Sequence, residues 1–364
     1  MAAFTAKDVQ ALREKTNVGM MDCKKALTEA DGDMDKAVEI LREKGLASAA
    51  KKASRIAAEG VIGVYSDASG SALVELNCET DFVGKNPDFV ALSNQIAKTA
   101  VIAKPADVEA LGAATIADGT MSVTDAIQDL FLKIRENLKL RRFALVEGTA
   151  VSYIHGGGSV GVLVSFDTDA ADSDEFKAMG KNIAMQVAAM SPEYLKESDI
   201  SADELTKMKN ITIESALNKP DSLPKPILMS IIAKTIEAGK WEQKDIDAYE
   251  AEKNNKFLFN FLSEEAKAAL AETAVAGKEE YTANPIFGKL TEGRIAKQIK
   301  EICLLEQPFV RTDLFDGTVG AYVADTAKKL GAKIEVTGFV RFAKGEGIEK
   351  KVDDFAAEVA GMVK

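Results

Sequence analysis

The 364-residue chain contains one histidine, one tryptophan, three cysteines and eight prolines. A single histidine excludes any multi-histidine metal site. Cys23, Cys78 and Cys303 are widely separated and form no CxxC pair, so neither a disulfide framework nor a cysteine zinc site is expected. No apolar run reaches the roughly 18 residues that a membrane-spanning helix needs. The opening segment, MAAFTAKDVQALREK, has no apolar stretch of the secretory kind, so a cytoplasmic location is expected. The phosphate-cradling pattern GxxxxGK[ST] is also missing, and the chain should not itself hold a nucleotide triphosphate. A formal charge of −11, from 46 basic and 57 acidic side chains, argues against a broad nucleic-acid surface.

What is present describes a folded protein of two to three domains, 46% apolar and 28% charged. Residues 1–55 carry 11 basic and 9 acidic side chains, which leaves −13 on the remainder. The spacing within this segment predicts three short helices. The first covers 5–16 with Val9, Leu12 and Thr16 on one face. The second is capped by Asp22 and ends near Ala30, and the third has Met34, Ala37, Val38 and Leu41 inward and stops at Gly45. An Ala- and Lys-rich helix over 46–58 is expected to link this module to the rest.

From residue 61 the apolar period shortens to two. VIGVYSD and SALVELNC around the turn at 68–70 predict a β-hairpin. Asn86-Pro87 opens a helix through Phe89, Leu92 and Ile96, and another helix is expected over about 122–139. Strands at 140–154 and 160–167, a helix over 174–190, a polar helical stretch over 201–307, a strand at 333–343 and a closing helix at 352–363 complete an α+β reading. FLFNFL at 257–262 needs a covering surface.

Several motifs imitate enzyme sites. Gly156-Gly157-Gly158-Ser159-Val160-Gly161 contains both GxGxxG and GxSxG. Both require a helix immediately afterwards, and the second also needs a histidine later in the chain. VLVSF, a strand pattern, follows instead, and the single histidine, His155, precedes Ser159. A glycine-rich hairpin turn fits best, with a serine hydrolase at Ser159 as the enzymatic alternative. Asp31, Asp33 and Asp35 imitate half a calcium loop, but Lys36 and Arg42 occupy its glycine and final ligand positions. A turn followed by helix-capping carboxylates fits them better. Cys78 is either half of a nucleophile–base pair with His155 or a small residue in a buried strand.

NCETDFVGKNPDF, residues 77–89, places a strand end directly before a proline-initiated helix. Phe82 there either packs inward, with Asp81 capping the turn, or projects as an aromatic contact for another protein. The runs Gly19–Leu27 (GMMDCKKAL), Glu79–Val83 (ETDFV) and Val336–Phe342 (VTGFVRF), with GEGIEK at 345–350 and DFAAEVAGM at 354–362, resemble the bacterial elongation factor Ts family. The resemblance covers roughly 1–200 and 308–364.

It implies a ubiquitin-associated-like three-helix domain at 1–55 and a two-part core of antiparallel sheets. The core's first half would be 56–147, and its second half 148–200 with 308–349. A helical insertion at 201–307, a possible coiled-coil or dimerisation element, and a C-terminal helical module at 350–364 would follow. The implied function is guanine-nucleotide exchange on the GTPase elongation factor Tu, by protein binding rather than enzymatic chemistry. No cofactor or metal, no nucleic acid and no membrane is implied, whereas a homodimer within a heterotetramer is.

The implied contacts are Thr80, Asp81, Phe82 and Val83 as a wedge at the partner's magnesium and phosphate site. His155 in the second core half, and Arg13, Val18, Gly19, Met20 and Met21 in the N-terminal domain, would add to them. A scaffold that only binds helical partners is the non-exchange alternative.

Overall fold

The computed structural model describes residues 4–16 and 18–349. The chain forms two compact units. Of the described residues, one comprises those up to Ser191, Phe309–Phe315 and those from Ala321; the other comprises Pro192–Pro308 with Asp316–Gly320.

Three helices open the first unit: α1 (Ala6–Thr16), α2 (Met20–Glu29) and α3 (Met34–Lys52). Leu12, Leu27, Ala37 and Leu41 form their shared core, which also takes in Phe131 and Leu132. Gly19, not Asp22, is the N-cap of α2. Asp22 instead sits in the first turn, where a negative charge suits the helix dipole, and pairs with Arg135 at 3.1 Å. Asp31 and Gly32 turn the chain with φ of 50° and 85°, and the Asp33 carboxylate accepts the N–H groups of Asp35 and Lys36. Gly45 does not end the third helix, which runs on to Lys52, so no separate helix begins at residue 46. A Cβ at Gly45 would lie 2.2 Å from Leu132 Cδ2. Glycine lets α3 pack closely there, against a propensity cost of ~1 kcal/mol.

Strands β1 (Glu59–Asp67) and β2 (Gly70–Cys78) make the expected hairpin, with every position of β2 buried. The chain then turns through α4 (Asp81–Gly84) into α5 (Pro87–Ala103), whose N-cap Asn86 accepts the Asp88 and Phe89 N–H groups. Helices α6 (Val108–Ala113) and α7 (Val123–Ile134) follow, and α7 stops where Arg135 enters the left-handed region. Phe89, Ile96, Leu111 and Val123 fill the core against the sheet.

The single strand expected over 140–154 is two: β3 (Lys139–Glu147) and β4 (Ala150–His155), divided at Gly148 with φ of 79°. They belong to different sheets. β3 completes the order β1-β2-β3, whereas β4 begins the order β4-β5-β6 with β5 (Val160–Thr168) and β6 (Ile334–Ala343). All pairings are antiparallel. Helix α8 (Asp174–Met190) lies between β5 and β6 in sequence and buries Phe176, Ile183 and Val187.

Glu75 on β2 has no exposed surface. Its carboxylate accepts hydrogen bonds from Arg141 (3.0 Å), Arg142 (2.5 Å), Asn77 Nδ2 (3.1 Å) and the Gly345 N–H (2.8 Å). The loop after β6 is thereby fastened to the first sheet.

The second unit is helical: α9 (Ala202–Leu217), α10 (Lys225–Glu237), α11 (Gln243–Glu252), α12 (Glu264–Ala276), α13 (Lys278–Thr282) and α14 (Pro285–Ile302). Leu217, Ile231, Leu270 and Phe287 are among its core residues, and the Trp241 indole donates to the Ala266 carbonyl. The FLFNFL segment is covered in part, with Leu258 and Leu262 buried and Phe257 and Phe261 exposed. A parallel bridge joins Tyr194 to Cys303, and the Leu304 N–H donates to the Tyr194 carbonyl. Helix α15 (Val319–Leu330) precedes β6.

Among the described residues no helix is long and apolar enough to cross a membrane. The expected helix over 352–363 lies outside them.

Candidate functional site

Where β2 runs out of strand partners, the backbone N–H groups need other acceptors. The Glu136 carboxylate supplies them, accepting the Glu79 N–H (3.1 Å), the Thr80 N–H (3.0 Å) and the Thr80 hydroxyl (2.7 Å). Thr80 in turn is the N-cap of α4, its hydroxyl accepting the Val83 N–H. The Glu79 carboxylate accepts the Asn137 N–H at 2.7 Å and pairs with Arg55 at 3.3 Å, while the Asn137 amide donates to the Arg55 carbonyl. Residues from three separate stretches of chain thus fix one corner.

That corner presents Phe82 at 82% exposure, whereas Val83 packs against the core beneath it. Of the two readings open for Phe82, the structure has the outward one. The cap is Thr80 rather than Asp81. Asp81 instead pairs with Lys85 at 2.7 Å, and the Lys85 ammonium holds the Asp81 carboxyl below its usual range. An exposed phenyl ring adds little to stability but has a large area to bury on a partner.

His155 ends β4 and is exposed, with its Nδ1 3.0 Å from the Tyr153 hydroxyl. Gly156, Gly157 and Gly158 follow with φ of 55°, 64° and 97°, conformations that L side chains rarely adopt. Gly158 is buried: its carbonyl accepts the Ile62 N–H at 2.8 Å, and a Cβ there would lie 2.2 Å from Val61 Cγ2. The Ser159 hydroxyl donates to the His155 carbonyl, and a strand follows the serine, so the nucleophile elbow that GxSxG would require is not formed. Cys78 is fully buried, and its thiol donates to the Thr80 carbonyl. Burial, reinforced by the charges of Glu136 and Glu59, pushes its pKa up to about 12, the opposite of an activated nucleophile.

In the N-terminal helices, Arg13 is exposed on α1, and Gly19 is exposed at the start of α2. Met20 and Met21 beside it are 45% and 64% exposed. Val18 is different: its side chain is fully buried in the three-helix core, and its carbonyl accepts from the Cys23 thiol. It anchors the loop from below, and its neighbours form the surface.

The N-terminal loop and the Phe82 corner meet the same short segment, Arg135–Asn137, through Asp22 on one side and Glu79 and Thr80 on the other. His155 stands on the other sheet, linked to β1 through Gly158. Sequence reasoning missed Glu136, Asn137 and Glu75. Each acts across more than fifty residues of chain, and no local spacing marks it.

A cavity of about 910 Å³ lies beside α6, α7 and β3, lined by Val108, Ile127, Phe131, Leu138 and Leu140 among others. Among the described residues no group of three or more His, Cys, Asp or Glu side chains could hold a metal ion.

The family model described as elongation factor TS matches residues 79–241 and 240–346. Over nearly its whole length the chain is similar to proteins named elongation factor Ts. The Syntrophotalea carbinolica protein is 39% identical over 364 residues, covering 99% of both chains. The Clostridium acetobutylicum protein is 41% identical over 361 residues, covering 98% of this chain and 97% of that one. The Clostridium botulinum protein is 40% identical over 362 residues with the same coverage.

Proposed function

The chain belongs to the elongation factor Ts family, and we propose that it promotes GDP release from elongation factor Tu by binding the nucleotide-free GTPase more tightly than the GDP-bound form. The observation that carries this reading is Phe82, an exposed aromatic on a corner whose backbone is held rigidly by Thr80 and Glu136.

A GTPase holds its nucleotide through phosphate-loop contacts and a magnesium ion. A protein that prefers the empty state weakens nucleotide binding by the same factor that the nucleotide weakens the protein's own binding. Thousandfold weakening takes about 4 kcal/mol of coupling, and a buried aromatic with its neighbours supplies energy on that scale.

In this reading the Phe82 ring enters the partner's nucleotide-binding domain while Asp81 disturbs its magnesium and phosphate geometry. Thr80 and Val83 set the wedge's direction, one by capping α4 and the other by packing inward. His155 makes a second contact. Arg13, Gly19, Met20 and Met21, seated on Val18, form a third, where flexible methionines adapt to a helical surface.

The test is stopped-flow release of fluorescent GDP from elongation factor Tu. Phe82→Ala should slow the stimulated rate at least about tenfold with the fold intact. An unchanged rate would remove the wedge from the mechanism.

A further inference from the structure

We propose that Glu136 is a positioning residue for exchange, the group that aims Phe82 without touching the partner. The inference rests on the reading of Phe82 as the exchange wedge. Helix α4 has only four residues, too few to hold its own direction, because a single helical turn is unstable in isolation. Beyond Asn77 the ladder between β2 and β3 has ended, so the N–H groups of Glu79 and Thr80 have no strand acceptor. One carboxylate replaces that acceptor. Glu136 Oε2 accepts both backbone N–H groups and Oε1 accepts the Thr80 hydroxyl. With that hydroxyl oriented, its oxygen faces the Val83 N–H and caps the helix. Loss of the carboxylate would therefore release the strand end and the cap together.

The segment that carries Glu136 is itself secured on both sides. Arg135 has φ of 65°, uncommon for a non-glycine residue, and it ends α7. Its guanidinium donates to Asp22 at 3.1 Å, and its carbonyl accepts the Lys52 ammonium. On the other side the Asn137 N–H donates to Glu79, and its side-chain amide to the Arg55 carbonyl. The first turn of α2, next to Met20 and Met21, is thereby tied through one residue to the base of the Phe82 corner. Glu136 stands at the middle of that brace and transmits a fixed position from the N-terminal helices to the wedge.

A mutant cycle on the full chain, read by GDP release from elongation factor Tu, separates aiming from mere stability. Glu136→Ala should slow release about tenfold, the scale of losing a charged acceptor with several donors. Glu136→Gln keeps an amide oxygen for the two N–H groups and should recover most of the rate. In a Phe82→Ala background, Glu136→Ala should cost nothing further. A wild-type rate for Glu136→Ala overturns the proposal, as does an equal proportional loss in both backgrounds. If Glu136→Ala loses its circular dichroism, Glu136→Asp, which withdraws the carboxylate by one methylene, carries the same expectations and the same refutations. A normal rate for Phe82→Ala alone refutes the wedge reading itself, and this proposal with it.

Discussion

The two corners of the first unit that present Phe82 and His155 are held by opposite means. At Thr80–Val83 the backbone is ordinary and side chains do the holding: one carboxylate, one hydroxyl and a second carboxylate one residue earlier. At His155–Ser159 the backbone does the holding, through three consecutive positive-φ glycines and a main-chain bond to Ile62. A corner made of side-chain bonds is adjustable residue by residue, and each bond is a place to weaken it. A corner made of backbone shape resists substitution at each of its positive-φ glycines, and most of all at the buried Gly158, where a side chain would also meet Val61.

Glu75 gives the largest way to break this contrast, because it fastens the loop after β6 to the sheet that carries the Phe82 corner. Removing a fully buried carboxylate that faces two guanidinium groups should cost about 3–5 kcal/mol in Glu75→Ala, read by urea denaturation. The pH dependence has a definite sign. Burial alone would raise the Glu75 pKa, but the Gly345 N–H, Asn77 and the two arginines outweigh it and hold the value below 4.5. The group therefore contributes stability above about pH 4.5 that is lost as pH falls further, through the folded-state value. Below pH 4.5 the stability of Glu75→Gln should decline less steeply than that of the natural chain. Equal slopes would show that Glu75 is not the group responsible.

Next in size is Gly158→Ala. Its positive φ and the approach to Val61 should lower stability by about 2–3 kcal/mol, seen as a lower melting temperature. An unshifted melt would mean that the turn is not held by its backbone.

Phe82→Ala should leave stability within about 0.5 kcal/mol. Its loss appears in GDP release, at least about tenfold, or ~1.4 kcal/mol. His155→Ala should give the smallest effect, about threefold in release. A normal rate would leave His155 as a surface residue of the turn and reduce the comparison to one working corner.

The elements that repeat within themselves were legible in the sequence. The hairpin at 59–78, the helix after Asn86-Pro87 and the helix at 174–190 each carry their own period and their own punctuation. Errors arose where a local signal served a distant contact. Gly45 reads as a helix stop, yet it is a packing glycine beneath Leu132. The run at 140–154 is rich in strand-forming residues on both sides of Gly148, and that composition does not show that its halves join different sheets. Asp22 looks like a cap because capping residues precede helices, but its partner is Arg135, 113 positions away.

The candidate site divides in the same way. The outward strand-to-helix corner at Phe82 was one of two readings that the order of residues allowed, and Met20 and Met21 were named from the resemblance. Glu136 and Asn137, which brace the corner from just beyond α7, had no local signature.

The bridge between Tyr194 and Cys303 has a consequence for how such a chain can change over time. It ties the outgoing and returning strands together at the base of the helical excursion, while β5 and β6 pair on either side of that excursion in sequence. Closing a longer loop between fixed ends costs only about 0.6 kcal/mol per doubling of length. Whole helical hairpins can therefore be gained or lost beyond the tie, and the register of Val160 with Ala343 need not move. The tie is more than one contact, since the Glu193 N–H donates to the Ile302 carbonyl and the Leu305 N–H to the Leu195 carbonyl. Chain added between its ends leaves it a paired closure to return to.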